Sequence, residues 1–171
     1  CYICGISAAT FEGMMSKMPT ALDETDKKLL TLLQRNNRLT ADDLGDLVGT
    51  SRSSVQRRMK RFRDEGIIEA DISVLSTKAV GRPMTFIVEV ELERERTDLL
   101  DEFRRSMLAL DDVQQCYYVT GHTDFILIVT SADMAAYEEF SRQVFTDNPN
   151  IRRFHSNVVV NRIKAGLQVP L

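Results

Sequence analysis

Six basic side chains fall within TSRSSVQRRMKRFRDEG, residues 50–66, and no acidic residue occurs among them before Asp64. They are Arg52, Arg57, Arg58, Lys60, Arg61 and Arg63. The chain as a whole, in contrast, carries a formal charge of −3. Neutralising phosphates supplies much of the affinity of a protein for DNA, and only the face that meets DNA has to be basic. The stretch therefore indicates a DNA-binding face, and the alternative is a solvated basic face of a helix.

The apolar spacing around this stretch predicts three helices. The first is Leu22–Asn36, which Asp23 can cap and whose positive N-terminal end Asp26 favours. The second begins at Thr40, and Asp43 three residues later makes a pattern close to a capping box. The third is capped by Ser51 and ends at Gly66. In the third helix, Val55, Met59 and Phe62 share one face and are expected to point inward. The basic residues occupy the remaining faces.

Gly45, Gly49 and Val55 stand at the spacing of a helix-turn-helix. A tiny residue suits the close crossing at Gly45, Gly49 can adopt the positive φ of the turn, and Val55 fills the angle between the helices. Such a unit lays its second helix in the major groove of DNA. The predicted DNA-binding residues are Ser51, Arg52, Ser53, Ser54, Gln56, Arg57, Lys60, Arg61 and Arg63. Of these, Arg52, Gln56 and Arg57 are expected at bases, and Lys60, Arg61 and Arg63 mostly at phosphates.

The second half of the chain predicts the order β-α-β-β-α-β, which is the ferredoxin-like arrangement. The predicted elements are a strand at Met84–Leu92, a helix capped by Thr97, strands at Val113–Val119 and Phe125–Thr130, a helix at Asp133–Phe145 and a last strand at Ile151–Ile163. A strand-like stretch, Ile67–Leu75, precedes them as a hinge. The fold class is thus α+β. The alternate apolar residues from Phe86 to Leu92 are expected to pair with a second copy, because an uncovered apolar sheet face marks an interface.

Catalysis by the second half is an alternative that its residue types disfavour. Its only histidines are His122 and His155, and no serine–histidine or cysteine–histidine set has an evident spacing. The chain is therefore predicted not to be an enzyme. Asp111 and Asp112 could bind a metal, but a solvated loop is favoured. Cys1 and Cys4 form a C-x-x-C pair without a second half-site. Neither a metal nor a cofactor is therefore expected.

Residues 1–21 differ in character from the rest of the chain and are predicted to be a flexible extension. No apolar run approaches the roughly 20 residues that span a bilayer, and no signal-peptide pattern is present at the N-terminus. We therefore expect a cytoplasmic protein.

The helix-turn-helix, followed by EGIIEADISVLSTKAVG and YYVTGHTDFILIVTSADMAAYEEF, resembles the Lrp/AsnC family of transcription regulators over residues 22 to about 165. The resemblance implies a winged helix-turn-helix domain at residues 22–70, a hinge strand at 71–83 and an ACT-like effector-binding and oligomerisation domain at 84–171. It also implies homodimers, often assembled into octamers. An effector, usually an amino acid, would bind where dimers meet.

Carried onto this sequence, the effector loop of the family falls on Gly121, His122, Thr123 and Asp124. Free backbone N–H groups in such a turn suit a carboxylate, and Asp124 suits an ammonium group. The alternative for Asp124 is a side chain that stabilises the turn. A far wall from a neighbouring dimer, near Met134 and Asn157, is implied by the resemblance alone.

The predicted function is therefore a sequence-specific, DNA-binding transcription regulator that responds to an amino acid. The alternative is an architectural DNA-binding protein whose C-terminal domain only drives oligomerisation.

Overall fold

The computed structural model describes residues 21–94 and 96–171. These residues form two compact units: residues 74–163 make one, and residues 21–73 together with 164–171 make the other. The predicted N-terminal extension, with Cys1 and Cys4, lies outside the described residues apart from residue 21. Within the described ranges, no helix combines the length and the apolar character needed to cross a membrane.

The described residues of the N-terminal unit form three helices: α1 at Glu24–Arg35, α2 at Ala41–Val48 and α3 at Arg52–Asp64. The predicted caps are confirmed at all three. The side chains of Asp23 and Thr40 accept hydrogen bonds from backbone N–H groups three residues later and complete capping boxes, and Ser51 accepts one from the N–H of Ser54. Each cap satisfies N–H groups that have no partner inside their own helix, so the three helices begin at these positions.

The turn between α2 and α3 has the predicted glycine geometry. Gly49 adopts φ +77°, in the left-handed region that suits glycine. A Cβ atom on Gly45 would lie 2.7 Å from the backbone oxygen of Thr50, so a tiny residue is required there. Val55 is fully buried. The core of this unit consists of Leu29, Leu30, Leu33, Leu44, Val55 and Phe62.

The strand-like stretch predicted at Ile67–Leu75 is not paired as a strand in the described single chain. The described chain forms no strand between α3 and Met84, and a turn occupies residues 77–81. A strand needs a neighbouring backbone to pair with. The described part of a single chain offers none here, and Val74 is 84% exposed.

The second unit is a four-stranded antiparallel sheet with helices in the predicted βαββαβ order, which confirms the ferredoxin-like class. Its elements are β1 at Met84–Leu92, α4 at Thr97–Leu108, β2 at Val113–Tyr118, β3 at Phe125–Ser131, α5 at Met134–Ser141 and β4 at Ile151–Val158. The strands are ordered β2-β3-β1-β4. A π-helical turn at Arg142–Thr146 follows α5. The predicted cap at Thr97 is wrong: Arg96 occupies the cap position without a side-chain hydrogen bond.

The prediction for the pairing face of the sheet is also wrong. Phe86, Val88, Val90 and Leu92 are buried within this unit and pack with Phe103, Met107, Tyr137 and Phe145 from the helical layer. Since side chains alternate along a strand, the opposite side, here called the open face, carries the neighbouring residues. Strand register places Ile87, Glu89, Tyr117, Ile126, Ile128, His155 and Asn157 there. The more apolar face is covered by the chain's own helices, and the less apolar face remains open.

Candidate nucleic-acid interface and effector turn

One side of α3 presents exposed polar and cationic side chains. Ser53, Gln56, Arg57 and Lys60 are all exposed. Among the described residues, the side chains of Gln56 and Arg57 have no hydrogen-bond or ion-pair partner. A glutamine and an arginine in the first turns of a recognition helix can each form bidentate contacts with a base edge. These two side chains are therefore available for readout.

Three cations of the predicted DNA-binding set pair with nearby acids at the surface. Arg52 bonds Asp42 at 3.0 Å, Lys60 bonds Asp64 at 2.5 Å, and Arg63 bonds Asp71 at 3.0 Å. Exposed ion pairs contribute little to stability because solvent screens them. A phosphate can therefore replace these carboxylates at low cost.

Arg61 lies in a different environment. Its Nη2 atom is 2.6 Å from Oδ2 of Asp26, and Nη1 of Arg58 is 2.5 Å from Oδ1 of the same carboxylate. The Asp26 side chain is only 1% exposed. Burial acts to raise the pKa of Asp26, but hydrogen bonds from Arg61 and Arg58 outweigh it, so the pKa lies below its ordinary value.

Sequence reasoning missed the role of Asp26. Asp26 also accepts a hydrogen bond from the N–H of Asp23, which closes the capping box of α1. The D-x-x-D spacing was a signal for the cap. Its partners on α3 are 32 and 35 residues away in the chain, so no local pattern could indicate the ion pairs.

The predicted effector turn lies between β2 and β3. Gly121 has φ +133°, and the backbone N–H groups of residues 121–123 have no acceptor among the described residues. Asp124 Oδ2 accepts a hydrogen bond from the N–H of Leu92 at 2.6 Å, and Thr123 Oγ1 donates to the oxygen of Val90 at 2.7 Å. Asp124 therefore ties the turn to β1. Its second carboxylate oxygen has no partner within the described chain.

Met134 and Asn157 do not meet this turn within one chain. β3 begins at Phe125, next to the turn, and runs seven residues to Ser131, shortly before Met134. At about 3.3 Å per residue, the two ends of β3 are about 20 Å apart. Asn157 pairs with Ile87 on the open face, three residues along β1 from Val90. A site that combines the turn with Met134 would need a second chain.

The Asp111–Asp112 pair is not arranged as a metal site. Asp112 accepts a hydrogen bond from the guanidinium group of Arg82, which also donates to the hydroxyl oxygen of Thr130 at 3.1 Å. In the part of the chain that the structure describes, no group of three or more His, Cys, Asp or Glu side chains could hold a metal ion.

Family models match both halves of the chain. A winged helix-turn-helix DNA-binding model matches residues 22–69, and the Lrp/AsnC ligand binding domain matches residues 85–169. These matches agree with the helix-turn-helix and the βαββαβ sheet described above.

Individual relatives and solved structures are similar over most of the chain. The HTH-type transcriptional regulator y4tD of Sinorhizobium fredii is 53% identical over 150 residues, which cover 88% of this chain and 89% of the relative. The leucine-responsive regulatory protein of Haemophilus influenzae is 32% identical over 151 residues, 88% of this chain and 91% of the relative. The transcriptional regulator NMB0573 of Neisseria meningitidis, solved as a complex with L-Met, superposes with a TM-score of 0.83 at 31% identity, covering 88% of this chain and 97% of that one.

These relatives are transcription regulators and not enzymes, which confirms the prediction from the residue types. A DNA-binding helix-turn-helix and a ligand-binding domain occur in one chain, in the order that the sequence predicted. The chain belongs to the Lrp/AsnC family of transcription regulators.

Proposed function

We propose that this regulator reads duplex DNA through Gln56 and Arg57 of α3 and that an amino acid bound at the turn of residues 121–124 changes its DNA binding. The observation that carries the DNA half is the exposed side of α3, where these two side chains have no other partner in the described chain. Lys60 and Arg63 are assigned to phosphates, as the sequence predicted. Arg52, predicted at a base, is assigned to a phosphate as well, because it pairs with a surface carboxylate as those two cations do and can exchange it for a phosphate.

Two features of the turn support an amino-acid ligand. The unpaired N–H groups of residues 121–123 can donate to an α-carboxylate, and the second oxygen of Asp124 can accept from an α-ammonium group. The similarity to NMB0573, whose structure holds L-Met, supports the same class of ligand. His122 is exposed beside these groups and can contact the ligand's side chain.

A second copy completes the proposed assembly. The second copy would dock on the open face of the sheet, where Tyr117 is 50% exposed and Ile87 is 37% exposed. The far wall of the effector site, near Met134 and Asn157, would come from another chain, because one chain holds these residues apart from the turn. Two copies also present two recognition helices to a pseudo-palindromic DNA site.

The effector proposal is tested by a thermal-shift screen of the full chain against the twenty amino acids. A ligand that binds only the native state raises the unfolding temperature in proportion to the logarithm of its excess over Kd. The screen is followed by binding to a duplex selected from a random pool, with and without the stabilising amino acid. A shift in both measurements supports the proposal. DNA binding that no amino acid alters would favour the architectural alternative.

The assembly proposal is tested with a matched pair of charge insertions. Ile87→Glu places a charge on the open face, whereas Leu108→Glu, at a site 49% exposed near the end of α4, places one on the helical side. Light scattering should show a smaller particle for Ile87→Glu and an unchanged particle for Leu108→Glu. A monomeric wild-type chain at micromolar concentration would overturn the proposal.

A further inference from the structure

The carboxylate of Asp26 connects the first helix to the recognition helix. One oxygen contacts Arg58 at 2.5 Å, and the other contacts Arg61 at 2.6 Å and the N–H of Asp23 at 3.1 Å. Arg58 is bonded in turn to the carboxylate of Asp23 at 2.7 Å. Both oxygens of a fully buried group are thus used, and two of their partners belong to α3.

The guanidinium groups themselves are only partly accessible. The side chains of Arg58 and Arg61 are 20% and 30% exposed, and their Nε atoms are buried without a partner among the described residues. The Cζ atom of Arg61 also lies 5.3 Å from the ring centroid of Phe62, within the range of a cation–π contact. The terminal nitrogens therefore make the polar contacts of these two arginines, and the contacts run to Asp26 and Asp23.

Arg57 and Arg61 share one side of α3 by helical spacing, but their surroundings differ. Arg61 follows Arg57 by one turn of α3, so both would face the same side of an isolated helix. Arg57 is exposed and unpaired within the described chain, whereas Arg61 is directed to a carboxylate that is 1% exposed. Moving Arg61 to a phosphate would leave that carboxylate buried with one cation fewer, which is strongly unfavourable.

We infer that Asp26 is a positioning residue for DNA recognition: through Arg58 and Arg61 it fixes the orientation of α3, and Arg61 is not a phosphate contact. This inference rests on the proposed DNA-reading function of α3. It removes Arg61 from the DNA-binding residues predicted from the sequence. It also gives a role in DNA recognition to Asp26, an acidic residue on α1, a helix that does not itself read bases.

The test compares Arg57→Gln with Arg61→Gln, which remove the same charge one helical turn apart. Each variant is titrated with a labelled mixed-sequence duplex at several salt concentrations. It is then titrated with a duplex that the wild-type chain selects from a random pool. A mixed-sequence duplex offers Arg57 no preferred base, so there the arginine meets a phosphate, and Arg57→Gln should reduce the magnitude of the slope of log affinity against log salt by about 0.9. For Arg61→Gln, the slope should stay at the wild-type value, while the preference for the selected duplex falls about tenfold, as for one lost base contact.

Three further variants test the route through Asp26. Asp26→Asn keeps the shape of the side chain and removes its charge, so it should lower the preference for the selected duplex as Arg61→Gln does. The double variant Asp26→Asn/Arg61→Gln should lose no more preference than Asp26→Asn alone, because both changes remove one interaction. Arg61→Lys retains a cation opposite the carboxylate and should recover part of the preference.

The outcomes distinguish this inference from the function on which it rests. A wild-type chain that binds no duplex DNA would refute the proposed function and the inference with it. DNA binding by the wild type, together with a slope that falls equally in Arg61→Gln and Arg57→Gln, would refute the inference alone. The same holds if Asp26→Asn keeps the full preference for the selected duplex. If Asp26→Asn fails to fold, the comparison of Arg61→Gln with Arg57→Gln still decides.

Discussion

Gly45→Ala tests how the turn of the helix-turn-helix positions the recognition helix. The added Cβ would lie 2.7 Å from the backbone oxygen of Thr50, whereas ordinary van der Waals contact begins at 3.4 Å. The oxygen of Gly45 itself accepts hydrogen bonds from the N–H groups of Gly49 and Thr50, at 2.8 and 2.9 Å. The turn must therefore move by several tenths of an ångström while it remains bound to the residue that displaces it. Ser51, the cap of α3, moves with it.

The magnitude results from two opposing effects. Overpacking against a fixed backbone costs about 1–3 kcal/mol. Replacing glycine by alanine inside a helix returns about 1 kcal/mol. We expect a net loss of about 1 kcal/mol in the stability of the helix-turn-helix unit. A displaced α3 should also lose about tenfold in affinity for a selected duplex, the equivalent of one base contact.

Gly49→Ala is the matched control. No atom of the described residues lies within 4 Å of a Cβ at Gly49, so the cost there is the strain of φ +77°, about 1–2 kcal/mol, without a steric displacement of Ser51. Stability is measured by hydrogen exchange of peptides from α1–α3 in the full chain. Peptides from β1–β4 serve as an internal reference, because a chain with two units does not unfold in a single transition. Affinity is measured by fluorescence anisotropy.

Both variants should lose protection in α1–α3, and Gly45→Ala should lose more DNA affinity than Gly49→Ala. Wild-type affinity in Gly45→Ala would refute the reasoning from the Thr50 contact. A greater loss of DNA affinity in Gly49→Ala than in Gly45→Ala would refute it as well.

Three further predictions concern the buried Asp26 and Tyr137 and the contact between Gln34 and Val169 near the C-terminus. Because the folded-state pKa of Asp26 is lowered, its ion pairs stabilise the fold above the ordinary carboxyl pKa and are lost as the pH falls through the lower folded value. Protection of α1–α3 should therefore decline below about pH 4 in the wild type and less steeply in Asp26→Asn. Tyr137→Phe removes the hydrogen bond to Ser156 and should lower the stability of the sheet unit by about 1 kcal/mol in exchange measurements; unchanged protection of β4 would contradict this. Gln34→Ala removes the acceptor, 2.7 Å away, of the Val169 N–H, so exchange of that amide should accelerate, whereas Gln34→Glu retains the acceptor and should preserve its protection.

Local patterns in the sequence determined where the helices begin and how the turn is built. The caps Asp23, Thr40 and Ser51 act on N–H groups three residues away, and Gly49 supplies its own left-handed backbone. Strand alternation likewise indicated the βαββαβ order, because the period of two along a strand does not depend on distant residues. These features could be predicted because each is decided within a few residues of the chain.

Long-range contacts decided the rest. Helical spacing grouped Arg61 with Arg57, and only packing against α1 brought Arg61 to Asp26, 35 residues earlier. The alternation in β1 marked an apolar face at Phe86 but could not tell whether helices or a second copy would cover it; the chain's own α4 and α5 do so. The sequence alone determined the family and the position of the recognition helix. The tertiary structure decided which cations of that helix remain free, because burial and ion pairing depend on residues that only folding brings together.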